Sequence, residues 1–274
     1  MDQLSVSLPV KAFASLVPQA RGVVIVHHGY AEHLHRYQHL IDLVNELGFH
    51  AFGFDQRGHG HTTTPPTALV EDFDRHVQDS LEFRVFLREK YPDLPVILFG
   101  HSMGGLLAVR SAEANPRGVD GVILSSPALL IGTDTPPFVK TLSTVLSQIT
   151  PNLQVVPLDS AKISRRTEMV AAYDSDPLVY HGKVKARTGA EMLRASANVW
   201  YGTAQWNLPT LIFHGTQDGL ADIDGSRRFY AEIRSQDKTF QEFDGGFHEL
   251  LNDTIADEVF ALIHQWLNAR FASK

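Results

Sequence analysis

At 274 residues and 43% hydrophobic content, the chain is long enough for one large core, and a single α/β domain of that size needs no independent partner domain. A net charge of -7 with no basic cluster argues against nucleic acid as a partner. With no cysteine, disulfides and thiolate chemistry are excluded. The first ten residues lack a basic n-region and a continuous apolar core, and no apolar run approaches the ~18 residues of a membrane span. The expectation is a soluble, cytoplasmic protein.

In chain order, residues 4–13 alternate apolar and polar side chains and predict antiparallel strands that open a sheet. Val23-Val-Ile-Val26 is a continuous apolar run of the kind buried on both faces, and it ends in the polar loop His27-His-Gly-Tyr-Ala-Glu-His33. A helix is expected from Tyr37 to Leu47, with Gly48 as its stop. A strand at Ala51–Phe54 leads into Asp55-Gln-Arg-Gly-His-Gly60. A long helix then runs from about Asp72 to Tyr91, its buried stripe read as Phe73, Val77, Leu81 and Val85, and Pro92 stops it. Val96–Phe99 and Gly121–Leu124 are further strands, with helical character between them from Leu106 to Ala112.

From Pro127 to about Asn207 the alternation of strand and helix fails. The stretch holds an apolar helix-like run from Phe138 to Ile149, the segment Tyr173-Asp-Ser-Asp-Pro-Leu178, and a second helical piece near Glu191 to Trp200. A structureless excursion of this length is improbable inside a compact domain, so residues 127–207 are expected to form an inserted cap. Alternation returns with a strand at Thr210–Phe213, a helix near Gly225 to Arg234, a strand around Thr239 to Phe243 and a closing helix from Thr254 to Arg270. The order predicts an α/β fold: a mostly parallel central sheet flanked by helices, with residues 1–126 and 208–274 as the core. Such sheets carry their sites at the carboxyl ends of the strands.

Chemistry concentrates between Phe99 and Leu106, where Gly100-His-Ser-Met-Gly-Gly105 is a G-x-S-x-G followed by a further glycine. Strand before and helix after are the context in which this pattern places a serine on a strained turn, hydroxyl exposed. Gly100 and Gly104 are small where larger side chains would collide, and Gly105 lets the helix approach the strands. The plainer reading is a glycine-rich turn without chemistry. If Ser102 is a nucleophile it needs a base and an orienting acid, in the chain order serine, acid, histidine. Asp218, on the loop after the Thr210–Phe213 strand, and His248, after the last strand and two glycines, fit that order. Asp222 and Asp224 rival the first; Asp244 and Glu249, which flank the second, read as solvated surface charges. Backbone N–H groups of Met103 and Tyr30 are the expected oxyanion donors. His27 and His28 are read as bonding loop carbonyls to hold the turn. No spacing resembles a zinc motif, so neither metal nor cofactor is expected.

Taken together, these segments resemble the monoacylglycerol lipase family of the α/β-hydrolases, often labelled serine aminopeptidase S33 or lysophospholipase-like. The resemblance covers most of the chain and rests on His28-Gly-Tyr-Ala-Glu-His33 with Arg36-Tyr37, Asp55-Gln-Arg-Gly-His-Gly60, the elbow, Pro151-Asn-Leu153, the Tyr173–Leu178 segment, His214-Gly-Thr-Gln-Asp218 and Gly246-Phe-His248. It implies Ser102, Asp218 and His248 as catalytic triad and Tyr30 and Met103 as oxyanion hole. Glu32, Arg36 and Tyr173 match positions near the polar, glycerol-facing end of the pocket, and an ion pair that pins the loop is the plainer role for Glu32 and Arg36. Where some relatives carry a histidine three positions after the catalytic one, this chain has Leu251; Gly219 and Thr62 also depart from the pattern.

The implied activity is a serine carboxylic-ester hydrolase acting on a small lipid ester, a monoacylglycerol first. A lysophospholipase or general carboxylesterase is the alternative, followed by a carbon–carbon hydrolase or a catalytically silent binding module. An apolar stripe in the cap (Phe138, Val139, Leu142, Val145, Leu146, Ile149) would suit an acyl tail or transient contact with a membrane or micelle, or would merely pack the cap on the core.

Overall fold

The computed structural model describes residues 1–131 and 147–272. Its elements in order are β1 (Asp2–Leu4), β2 (Lys11–Ser15), β3 (Gly22–His27), α1 (Gln38–Glu46), β4 (Phe49–Asp55), α2 (Phe73–Lys90), β5 (Val96–His101), α3 (Met103–Ala114) and β6 (Gly121–Ser125). After them come β7 (Gln154–Val156), α4 (Thr167–Ser175), β8 (Val184–Lys185), α5 (Ala186–Val199), β9 (Thr210–Gly215), α6 (Ile223–Glu232), β10 (Lys238–Phe243) and α7 (Ala256–Arg270).

Eight strands form one sheet in the order β1-β2-β4-β3-β5-β6-β9-β10. The pairs β1/β2 and β2/β4 are antiparallel; every later pair is parallel. The expected mostly parallel sheet flanked by helices is therefore present. Strands β3, β4, β5, β6 and β9 are buried on both faces, which is why they read as apolar runs. Val23, Ile25, Leu98, Val122 and Ile212 face the layer that includes α2, α3 and α6. Their neighbours Val24, Val26, Ile97, Ile123 and Leu211 face α1 and α7. Alternation along each strand thus feeds two cores, one per face.

Local signals account for most boundaries. Asp72 caps α2 by accepting from the Asp74 N–H, and Asp222 caps α6 through the Asp224 N–H in the same way. Gly48, at φ +78°, ends α1 in the left-handed conformation that only glycine adopts without strain.

Several expectations need correction. The opening strands lie further apart than residues 4–13, as Asp2–Leu4 and Lys11–Ser15, because Pro9 has no N–H to donate to a ladder. The buried face of α2 runs through Phe73, Val77, Ser80, Phe83, Arg84 and Leu87. Leu81 is only partly buried, and Val85 is 56% exposed. A four-residue step drifts off a 3.6-residue turn after two repeats, and the polar Ser80 and Arg84 hid the true stripe. The helix expected near 191 begins at Ala186, and α4 and the antiparallel β7/β8 pair were not anticipated. Of the helix expected from 138 to 149, residues 147–149 are helical, with Ile149 exposed; the rest, with the other residues of the apolar stripe, lies outside the described residues.

Between β6 and β9, helix α5 packs on α2 and α3. Its Thr188 hydroxyl accepts from the Val70 N–H (3.0 Å) and donates to the Ala68 carbonyl (3.1 Å). Glu191 accepts from the Phe73 N–H (3.1 Å) at the start of α2. No described helix is long and apolar enough to cross a membrane.

Candidate active site

The turn between β5 and α3 has the geometry its glycines predict. Ser102 sits at φ 53°, ψ -118°, a conformation costing a non-glycine residue on the order of 1–3 kcal/mol and held here by its surroundings. Its N–H donates to the Ser125 carbonyl (3.0 Å), and its carbonyl accepts from Ala128 N–H (3.0 Å) and Leu106 N–H (3.1 Å). A Cβ on Gly104 would strike the His27 and His28 carbonyls at the end of β3, and one on Gly105 would strike Pro127. These two glycines let α3 lie against the strand ends. Its first N–H, that of Met103, stands at the positive end of the helix dipole. Neither the Met103 nor the Tyr30 N–H has a partner among the described residues, so both are free to donate.

On the β9 loop, Asp218 carries a carboxylate that is 1% exposed. Its Oδ2 accepts from His248 Nδ1 at 2.7 Å, and its Oδ1 accepts from the N–H groups of Leu220 (2.8 Å) and Ala221 (3.0 Å). Burial alone would raise its pKa; His248, with the hydrogen bonds from His214 and His248, drives it well below the ordinary carboxylate range. For His248, burial lowers the pKa, but the Asp218 carboxylate outweighs it and leaves the imidazole more basic than usual. With Nδ1 donating to Asp218, Nε2 is left to accept a proton. Ser102 and His248 line the same cavity, and no hydrogen bond joins them in this resting geometry among the described residues. Asp222 and Asp224, the rivals of Asp218, lie at the exposed start of α6.

The loop after β3 is fixed by its histidines in two ways. His28 Nδ1 donates to the Gly29 carbonyl (2.8 Å), and its Nε2 accepts from the Gln56 N–H (2.9 Å). His27, by contrast, meets the Ser80 hydroxyl on α2 (3.1 Å), a helix contact where a loop carbonyl was expected.

Beyond Ser102 the cavity, of about 440 Å³, has one polar end and an apolar wall. Glu32, His101, Tyr173 and Glu249 form the first; Leu130, Ile131, Val156, Leu158, Met192 and Leu193 belong to the second. Glu32 accepts from the Gly29 N–H (2.6 Å), the Tyr37 hydroxyl (2.5 Å) and Arg36 Nε (2.9 Å). Arg36 also bonds Glu249 at 2.6 and 2.9 Å, and its guanidinium lies 4.7 Å from the Tyr173 ring centroid. Arg36 itself does not line the cavity. One cation thus serves two buried carboxylates. Burial pushes Glu249 up, and the nearby Glu32 adds to this. Glu32, despite its own burial, is held below its ordinary value by Arg36 first, then His101 and His28. His101, its ring centroid 4.7 Å from that of His248 and tilted 53° to it, is pushed down to about 3 by burial, and its Nδ1 donates to the Ser125 carbonyl (3.1 Å).

Sequence reasoning passed over His101, Tyr37 and His214, and it took Glu249 for a surface charge. Glu249 is 7% exposed; a partner 213 residues away leaves no local pattern to find. Among the described residues no group of histidines and acids could hold a metal ion.

The fold, the strained serine and the three converging loops define a serine hydrolase of the α/β-hydrolase class. The family described as serine aminopeptidase, S33 matches residues 18–255. A monoglyceride lipase from Homo sapiens is 33% identical over 256 residues, covering 92% of this chain and 84% of that protein. For a monoacylglycerol lipase of Mycolicibacterium smegmatis the identity is 31%, over 90% of this chain and 88% of the relative. The crystal structure of the monoacylglycerol lipase of Paleococcus ferrophilus has a TM-score of 0.83 at 33% identity, covering 95% of this chain and 99% of that one. The chain belongs to the monoglyceride lipase family within the serine aminopeptidase S33 group.

Proposed function

We propose that the protein hydrolyses monoacylglycerols to fatty acid and glycerol through an acyl-enzyme on Ser102. The observation that carries this reading is the Asp218–His248 hydrogen bond opening onto the same cavity as Ser102, polar at one end and apolar along its wall. His248 Nε2 takes the proton from Ser102 Oγ as the oxygen attacks the ester carbonyl. The N–H groups of Tyr30 and Met103 hold the oxyanion. His248 then returns its proton to the leaving alcohol oxygen, and water, deprotonated by the same imidazole, releases the fatty acid. Asp218 keeps Nε2 the free nitrogen and stabilises the imidazolium. Glu32 and Tyr173 meet the alcohol portion, and Arg36 acts through them by fixing the Glu32 carboxylate.

In the same reading, residues 127–207 are the cap over a core of 1–126 and 208–274. The exposed Ile149, Leu153, Val155 and Val156 touch the lipid aggregate that delivers substrate.

The test is a panel of a long-chain monoacylglycerol, a lysophospholipid and short p-nitrophenyl esters, run beside fluorophosphonate labelling. The expected result is the highest kcat/KM on the monoacylglycerol, with label on Ser102. A wide margin in favour of the short esters would overturn the substrate, and an unlabelled Ser102 would overturn the mechanism.

A further inference from the structure

Strand β9 brings a second imidazole to the acid. His214, one residue before the end of the strand, is fully buried, and its Nε2 lies 3.0 Å from Asp218 Oδ2 and 3.2 Å from the Ala221 carbonyl oxygen. Its Nδ1 lies 2.8 Å from the Ser226 hydroxyl, in the first turn of α6. A neutral imidazole has one N–H to place. Two acceptors face Nε2 and neither can donate, whereas a hydroxyl can donate to Nδ1. The arrangement therefore puts the proton on Nε2, with Ser226 donating to Nδ1.

Asp218 Oδ2 is then shared between two rings, since it also accepts from His248 Nδ1 at 2.7 Å. We propose that His214 is a positioning residue that acts through Asp218: by donating to Oδ2 it draws off part of the charge that would otherwise bind the His248 imidazolium. This rests on the reading of Asp218 and His248 as acid and base. The effect is to keep the base free of its proton at lower pH. Because Leu220 and Ala221 still grip Oδ1, removal of His214 leaves the carboxylate oriented and changes mainly its charge.

The other groups facing His248 are Glu249 beside it, Glu32 from the β3 loop and His101 from the end of β5. Glu242 on β10 pairs in register with His214. Glu249, Glu32 and His101 share no hydrogen bond with His214, and Glu242 is held by Arg227 at 2.8 Å, so a moved profile reports the lost donor.

The experiment compares H214L and H214Q with the unmodified protein, measuring the pH dependence of kcat/KM and the Tm of each. H214L is expected to raise the midpoint of the acid limb by about half to one pH unit, with plateau kcat within about threefold. H214Q keeps an N–H at comparable reach and is expected to restore the original midpoint. On the unmodified protein, ¹⁵N spectra of the His214 ring, assigned by the signals lost in H214Q, are expected to show the proton on Nε2. An unmoved acid limb in a folded H214L, an H214Q limb displaced as far as that of H214L, or a proton on Nδ1 each overturns the proposal. If H214L does not fold, the H214Q profile and the ring spectra decide. S102A separates the two readings: if it keeps its turnover the triad fails, and if it is inactive while H214L keeps its limb, only the role of His214 fails.

Discussion

The central sheet and the segment between β6 and β9 treat their apolar residues in opposite ways. In the sheet, Val23, Ile25, Leu98 and Val122 are wholly buried, whereas in the insertion Val156 is 54% exposed and Ile149 73%. Burying a side chain of this kind stabilises a fold by ~1.5–3 kcal/mol, so the sheet draws folding energy from its apolar residues and the insertion leaves part of its own unused. The proposed reacting groups follow the same division. Ser102, Asp218 and His248 stand on loops leaving β5, β9 and β10, and the insertion contributes wall residues such as Val156, Leu158 and Met192. In the proposed mechanism, chemistry is anchored where packing is dense, and selectivity lies where it is sparse.

The sharpest way to break this division is at Ser102. S102A is expected to cut kcat by about 10⁴ or more while Tm stays within about 1 °C, because one oxygen is lost from the chemistry and almost nothing from the packing. A large fall in Tm would mean that the reacting serine also holds the core together. Next comes Arg36, where the polar end of the cavity and the fold share one residue. R36M leaves Glu32 and Glu249 buried without their cation and should cost about 3–5 kcal/mol of unfolding free energy at pH 8. Chemical denaturation at pH 5 should show a smaller deficit, since Glu249, already raised, takes up a proton first.

Glu113, on α3 where a Cβ on Gly202 would strike it, probes the junction between the two regions. Burial raises its pKa to about 7, against the Arg110 cation bonded to it at 2.6 Å. A carboxyl raised in the folded state contributes stability that is complete below its unfolded value and is lost as pH rises through the folded one. Substitution by glutamine should therefore do little at pH 4.5 and stabilise by on the order of 2–3 kcal/mol at pH 8. Equal Tm differences at both pH values would sink that account. The smallest effect is expected at Val156: V156S should leave Tm nearly unchanged and raise KM for long-chain esters by about two- to fivefold, with short esters indifferent.

How much of this was legible depends on how local each signal was. Strands buried on both faces announce themselves as apolar runs, and the elbow is legible because steric exclusion writes glycine at fixed offsets from the serine. Asp218 and His248 could be chosen because topology requires their loops to follow late strands. The α2 stripe was misread because Ser80 and Arg84 are buried through hydrogen bonds to Ser111 on α3, a pairing that polarity alone conceals. Glu249 escaped because its partner Arg36 lies 213 residues away, and His214 because the turn that brings Asp218, four residues on, back to its ring leaves no periodic pattern.

The loop bearing Tyr30 is moored to the insertion at two points. The Ala31 carbonyl accepts from the Tyr180 N–H (2.8 Å), and His33 Nε2 bonds Asp176 Oδ2 (2.8 Å). A protein engineer who exchanged this insertion for that of another hydrolase, seeking only a new chain-length preference, would cut both moorings. The graft would loosen the backbone on which the proposed oxyanion donor stands, so transplanted selectivity would come with slower turnover unless the Asp176 carboxylate and a backbone N–H at the place of Tyr180 were kept.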